Sequence, residues 1–170
     1  AIDRVTHYLL NAFAIAHATK TAATNNASFE SAALVEAIKA ANTAIHDASM
    51  SRPEQSGMGT TIVAAAFHDN TLTVAHVGDS RLYRYRNGVL SQVTEDHSMV
   101  QELLRRGLMT PEEARTSLNR NLVTRALGID PMVEVDVREQ QYEDGDIYLL
   151  CSDGLNDVLT DEEIAAVLAQ

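Results

Sequence analysis

The chain has 170 residues, 45% apolar and 22% charged, a balance that fits one globular domain with its own core and excludes a disordered or low-complexity chain. Its 13 Lys and Arg against 24 Asp and Glu leave a net charge of −11, which excludes general nucleic-acid binding, since that needs a basic surface to displace counterions from phosphates. No apolar run approaches the roughly 18 residues of a membrane span, and the sole cysteine, Cys151, cannot form an internal disulfide, so the chain reads as soluble and cytoplasmic.

The front of the chain is helical. Ile2, Val5, Leu9, Phe13 and Ala16 recur at three and four residues. After a polar break over 24–28, Leu34, Ile38, Ala41, Ile45 and Ala48 repeat the pattern, with Ser28 placed to cap the second helix. Core packing is the ordinary use of such stripes, and a partner-binding or membrane-surface face is the alternative. From Thr60 the period becomes two and β-branched residues accumulate, which predicts strands over 60–67, 71–77, 81–85 and 89–93. Turns at His68-Asp69-Asn70 and Arg86-Asn87-Gly88 would join them into an antiparallel meander.

A helical interlude over about 98–127 interrupts the sheet. Val100, Leu103 and Leu104 run into Gly107 as a stop, and Thr110-Pro111-Glu112-Glu113 offers an N-cap, a first-turn proline and a capping-box glutamate. Strands return over 133–137 and 147–151 with Asp144-Gly145 between them, and Thr160-Asp161-Glu162-Glu163 opens a last helix. The class is α+β: an antiparallel sheet covered by helices.

The chemistry gathers where strands end. Ile147-Tyr148-Leu149-Leu150 runs into Cys151-Ser152-Asp153-Gly154-Leu155-Asn156-Asp157, and the strand ending at Val77 runs into Gly78-Asp79-Ser80-Arg81. Asp79, Asp153 and Asp157 therefore stand at strand ends, and Mg2+ and Mn2+ prefer a few carboxylate oxygens plus water. Metal-assisted phosphate chemistry is the first hypothesis. The plainer readings are a turn carboxylate bonded to its own backbone for Asp79 and stabilisation of a helix N-terminus for Asp157. If the chain turns helically after the strand, the four-residue offset sets Asp153 and Asp157 on one side.

Five ordered blocks, Gly57-Met58-Gly59-Thr60-Thr61, Val77-Gly78-Asp79-Ser80-Arg81, Thr94-Glu95-Asp96-His97-Ser98, Thr124-Arg125-Ala126-Leu127-Gly128 and Cys151-Ser152-Asp153-Gly154-Leu155, resemble the bacterial form of the metal-dependent serine/threonine phosphatases of the protein phosphatase 2C (PPM) family. The resemblance implies an antiparallel β-sandwich with a helical layer outside each sheet, incomplete in this chain, and one domain over 1–170 with a mobile, substrate-selecting flap at 98–127. It also implies that a water activated by Mg2+ or Mn2+ attacks phosphoserine or phosphothreonine, that Asp153 is a ligand of a two-metal core, and that Asp79 and Asp157 join it around a third, weaker ion. The expected partner is a phosphoprotein substrate, with a serine/threonine kinase in opposition.

Parts of the family pattern are missing. An arginine-bearing strand with Asn-Glu-Asp, an Asp-Gly-Met-Gly-Gly-His turn and a late Asp-Asn block do not occur, so no catalytic residue is identifiable here. The chain reads as an excised piece with little or no activity alone; the alternative is a non-catalytic regulatory or phosphoprotein-binding module. Arg81 and Arg125 are expected to pair with carboxylates, His97 to be a loop histidine held by Asp96, and His76 and His68 to carry little signal. Cys151 lacks the following arginine of a cysteine phosphatase loop and reads as a small buried apolar residue. Gly57-Met58-Gly59-Thr60-Thr61 lacks the lysine of a nucleotide-binding loop and reads as a tight lead into a strand.

Overall fold

The computed structural model describes residues 28–170, so the stripe from Ile2 to Ala16 lies outside the described residues. Helix α1 spans Phe29–Ser51. Ser28 starts it as expected: its backbone is extended and its side chain accepts a hydrogen bond from the Ser31 N–H at 3.0 Å. Leu34, Ile38, Ala41 and Ile45 form its buried stripe, which settles the use of that face as core packing. Arg52 ends it in an extended conformation ahead of Pro53.

Strands β1 (Ile62–His68) and β2 (Thr71–Val77) form a hairpin closed by Asp69 and Asn70, both at positive φ. Strands β3 (Arg81–Arg86) and β4 (Val89–Gln92) form a second, closed by Asn87 at φ 51° and Gly88 at φ 81°. The insert contributes α2 (Met99–Arg105) and α3 (Pro111–Thr116), the latter with the expected capping box between Thr110 and Glu113. Then come β5 (Asp136–Gln141), β6 (Ile147–Cys151), a one-turn helix α4 (Asp153–Asn156) and α5 (Asp161–Leu168), which carries the Thr160–Glu163 capping box.

The strands do not form one meander. They make two antiparallel sheets of three strands, ordered β1-β2-β5 and β4-β3-β6. Consecutive strands β2 and β3 lie at the centres of different sheets, because each is already paired on both edges and their inward side chains can be buried only by folding one sheet over the other. Leu72 and Val74 of β2 meet Leu82 of β3, with Val63, Ala65, Val93, Tyr142 and Tyr148 around them. The opposite face of β2 presents Ala75 and Val77 to Leu34, Ile38 and Ile45 of α1, where Leu127, Ile62, Ala64, Val133 and Val135 complete a second core. Leu72 to Val77 are therefore buried without alternation, the mark of a central strand covered on both faces.

The strand expected at 133–137 is displaced to Asp136–Gln141. Val133 and Val135 pack against the α1 core from outside the ladder, while the polar run Arg138-Glu139-Gln140 pairs with Val74, Thr73 and Leu72 through its backbone. Glu139 of this strand also accepts from the Ser28 N–H at 3.2 Å and from the Ser31 hydroxyl, fastening α1 to the sheet. Among the described residues no helix is long and apolar enough to cross a membrane.

Candidate active site

The register of one strand pair assembles the site. In the β3–β6 ladder Arg81 lies opposite Cys151. Carried two residues further, that antiparallel register sets the Asp79 turn beside the Asp153 turn, although the two are far apart in sequence. Asp79 sits in Gly78-Asp79-Ser80, the crossing from one sheet to the other. Gly78 has φ +107°, and a Cβ there would lie 2.3 Å from Thr61 Cγ2, so the crossing runs flush against the start of β1. Two residues after Gly78, the Ser80 hydroxyl lies 2.8 Å from that of the same Thr61.

Burial raises the Asp79 carboxyl above its ordinary value of 3.8; a backbone N–H pulls it back, and the charges of Asp153 and Asp96 push it up again against Arg81. Asp153 opens α4, and the Asp157 N–H donates to the Asp153 carbonyl at 2.8 Å, so the chain does turn helically and the two carboxylates stand one turn apart. Asp157 is at the C-terminal end of α4, where the helix dipole does not favour a carboxylate, so the plainer alternative of stabilising a helix N-terminus is not met there. Asp153 and Asp157 are exposed. Asp79 feels the negative charge of Asp153, and carboxylates gathered in this way, with Asp153 and Asp157 open to solvent, suit a hard divalent cation, so the donor set fits Mg2+ or Mn2+.

Arg81 is the cation nearest by sequence, and it is engaged elsewhere. Its Nε donates to Asp96 Oδ1 at 2.9 Å, its Nη2 to Asp96 Oδ2 at 2.6 Å and its Nη1 to the Tyr83 hydroxyl at 2.8 Å. Arg125 likewise donates to Asp136 at 2.7 Å and reaches Glu134 at 3.3 Å. Both arginines thus pair with carboxylates, as expected. Burial raises the Cys151 thiol, which fits no nucleophilic role. The glycine-rich block at Gly57 meets the Thr124 block directly: Thr60 and Leu127 exchange backbone hydrogen bonds of 3.1 and 2.8 Å, and the Gly128 N–H donates to Asn42 Oδ1 at 2.7 Å.

His97 departs from expectation. Asp96 is taken by Arg81 and by the Gln92 amide at 2.8 Å, whereas the buried His97 ring is held by the Gly78 N–H, which donates to Nδ1 at 3.1 Å. With the Nδ1 lone pair so occupied, the proton is on Nε2, which faces Asp136 Oδ2 at 3.4 Å and has Arg125 Nη1 beside it at 3.2 Å. The ring stacks on His76 at 4.6 Å, and His76 Nε2 donates to the Glu95 carbonyl at 2.8 Å. Burial lowers the His97 pKa, as do the charges of His76 and Arg125. Burial would raise Asp136, but bonds from Arg125 and His97 prevail and lower it.

His76, His97 and Asp136 place their ligand-type atoms within 4.8 Å of one another, as a two-histidine, one-carboxylate metal centre would. The hydrogen bonds argue otherwise. An Nε2 proton on His97 and the Arg125 guanidinium already face the Asp136 carboxylate, so the cluster is a clamp in which two buried histidines are tied to an exposed carboxylate already engaged by its neighbours. Sequence reasoning missed Asp136 as a site residue, read Thr61 only as part of a glycine-rich lead into a strand, and undervalued His76. The one available signal was a histidine at an inward position of an alternating strand.

An α+β sandwich with an acidic pair at adjoining strand ends defines the class of protein. The chain belongs to the protein phosphatase 2C family, whose model matches residues 2–170. The serine/threonine phosphatase Stp of Listeria monocytogenes serotype 4b is 44% identical over 120 residues, 71% of this chain and 48% of that protein. The serine/threonine protein phosphatase PstP of Mycobacterium tuberculosis is 44% identical over 137 residues, 81% of this chain and 26% of that one. This chain spans about half the length of the Listeria relatives it matches. A crystal structure of Mycobacterium tuberculosis PstP/Ppp superposes with a TM-score of 0.80 at 37% identity, covering 96% of this chain and 67% of that one. A structure of the PstP catalytic domain in complex with two manganese ions gives 0.77 at 37% identity, covering 99% and 68%.

Proposed function

We propose that this protein is a phosphatase of phosphoserine and phosphothreonine in proteins that depends on Mg2+ or Mn2+, and that Asp79, Asp153 and Asp157 hold one of its cations. The observation that carries the reading is the β3–β6 register, which brings the Asp79 and Asp153 carboxylates close enough for the charge of one to raise the proton affinity of the other. When bound, such cations neutralise phosphoryl charge and lower the pKa of a water that attacks phosphorus in line. The chain's own share is to fix those carboxylates: Gly78 seats the Asp79 turn against Thr61, and α4 sets Asp153 and Asp157 on one side.

We also infer that residues 1–170 form one domain with a flap at about 98–127, which meets the substrate beside the site. Its base is held by backbone bonds from the Thr124 N–H to the His97 carbonyl at 2.8 Å and from the Met99 N–H to the Leu122 carbonyl at 3.0 Å. The partner is a phosphoprotein, with a serine/threonine kinase in opposition, and the free Cys151 fits a cytoplasmic setting. The test is Mn2+ binding by calorimetry beside Mn2+-dependent phosphate release from a phosphothreonine peptide, with wild type and Asp153→Ala in parallel. Mn2+ affinity falls at least tenfold in Asp153→Ala and any phosphate release vanishes; unchanged affinity refutes the site.

A further inference from the structure

We propose that His97 is a positioning residue for Asp79, a role that rests on the reading of Asp79 as a cation ligand. The β1–β2 ladder ends with Ile62 opposite Val77, so Gly78 lies one residue beyond it and takes no part in that pairing. His97, 19 positions later, takes both backbone groups of Gly78: its Nδ1 accepts from the Gly78 N–H at 3.1 Å, and its own N–H donates to the Gly78 carbonyl at 3.0 Å. The next residue is Asp79. Ser80, on its other side, is held by Thr61, so the two neighbours of Asp79 are fixed and its carboxylate has little backbone freedom.

The ring is itself fixed from three directions. Its Nε2–H faces Asp136, Asp136 is held by Arg125 at 2.7 Å, and the His76 ring stacks on it at 4.6 Å with an interplanar angle of 23°. Turning the ring in this tautomer would set its Nε2–H against the Gly78 N–H and withdraw that proton from Asp136, leaving Arg125 as the carboxylate's remaining donor. The Thr124 N–H donates to the His97 carbonyl at 2.8 Å, and Arg125 is the next residue, so the same histidine ties the end of the helical insert to the turn bearing Asp79. Groups that orient a metal ligand in this way carry much of a site's affinity, and their loss costs about 10- to 100-fold in metal binding.

The experiment is Mn2+ titration of the chain by calorimetry, with folding monitored by circular dichroism, for wild type, Asp79→Asn, His97→Ala, His97→Asn and the double variant Asp79→Asn/His97→Ala. The asparagine oxygen occupies the place of Nδ1 and still accepts from Gly78. We expect Mn2+ affinity to fall about tenfold or more in His97→Ala, to return to within about threefold of wild type in His97→Asn, and to show no added loss in the double variant relative to Asp79→Asn. Affinity unchanged in a folded His97→Ala, while Asp79→Asn abolishes binding, overturns the proposal, as does a His97 effect that persists without the Asp79 carboxylate. Should His97→Ala not fold, His97→Gln replaces it: its amide reaches toward Asp136 but not Gly78, so it must bind Mn2+ more weakly than His97→Asn, and equal binding overturns the proposal. Unchanged affinity in Asp79→Asn is a separate result, which defeats the cation-site reading itself.

Discussion

Replacing Gly78 with alanine tests whether the crossing between the sheets is as tightly built as its geometry states. Two costs add. The residue sits at φ +107°, where an L side chain costs about 1–3 kcal/mol. The new Cβ would stand 2.3 Å from Thr61 Cγ2 and 2.5 Å from Thr61 Cβ, an overlap that must be relieved by backbone movement at about 1–3 kcal/mol more. The sum, about 2–6 kcal/mol, is a large part of the 5–15 kcal/mol by which a domain is ordinarily stable. Urea unfolding followed by circular dichroism reads it as a fall in midpoint with little change in slope. Partial relief separates the terms: Gly78→Ala/Thr61→Ala removes Cγ2 but leaves a Cβ at 2.5 Å, so it recovers only part of the loss, and Gly78→Ala/Thr61→Gly recovers more of the steric share. A loss below about 1 kcal/mol for Gly78→Ala, or no recovery in either double variant, refutes the reasoning.

Three further outcomes follow from the same geometry. Asp79→Asn removes a carboxylate that burial and two acidic neighbours disfavour, so the metal-free chain gains up to about 1 kcal/mol in urea unfolding while losing the rise in thermal midpoint produced by added Mn2+; an Mn2+ effect equal to wild type counts against the site. Arg81→Lys keeps the charge but gives up the bidentate grip on Asp96 and the bond to Tyr83, for a loss of about 1–3 kcal/mol by the same assay, and a wild-type midpoint would show the pair to be dispensable. The folded His97 imidazole lies below its ordinary value of 6.5, so below about pH 6.5 the unfolded chain binds more protons than the folded one. Stability present above that pH is therefore lost as the pH falls toward the folded value. Asp79, raised, acts in the opposite sense closer to its ordinary 3.8. Denaturant midpoints between pH 7.5 and 5.5 should fall for wild type and flatten in His97→Asn; equal slopes would refute this assignment of the ring.

The sequence by itself determined what short-range forces decide. Ser28, Thr110 and Thr160 begin helices because their oxygens satisfy backbone N–H groups three residues on, and Asn87-Gly88 closes a hairpin because both residues accept positive φ. The strand ends at Asp79 and Asp153 were legible for the same reason: an apolar run stopping at a Gly-Asp or Asp-Gly step is a local pattern. The ordered blocks carried the resemblance to protein phosphatase 2C, which the family match bears out. It also pointed to the sandwich that periodicity had read as a meander. Only the tertiary structure decided which groups meet. That β2 and β3 part into different sheets depends on each being paired on both edges, and that Asp79 neighbours Asp153 depends on the register of β3 against β6. His97 shows the limit most clearly: its sequence neighbour Asp96 turns to Arg81, and its partners are His76 of β2, Gly78 just beyond that strand and Asp136 of β5, brought together by packing. Hydrogen bonds within a turn are written in adjacent residues, whereas contacts between sheets depend on how whole strands pair and stack, which no local pattern records.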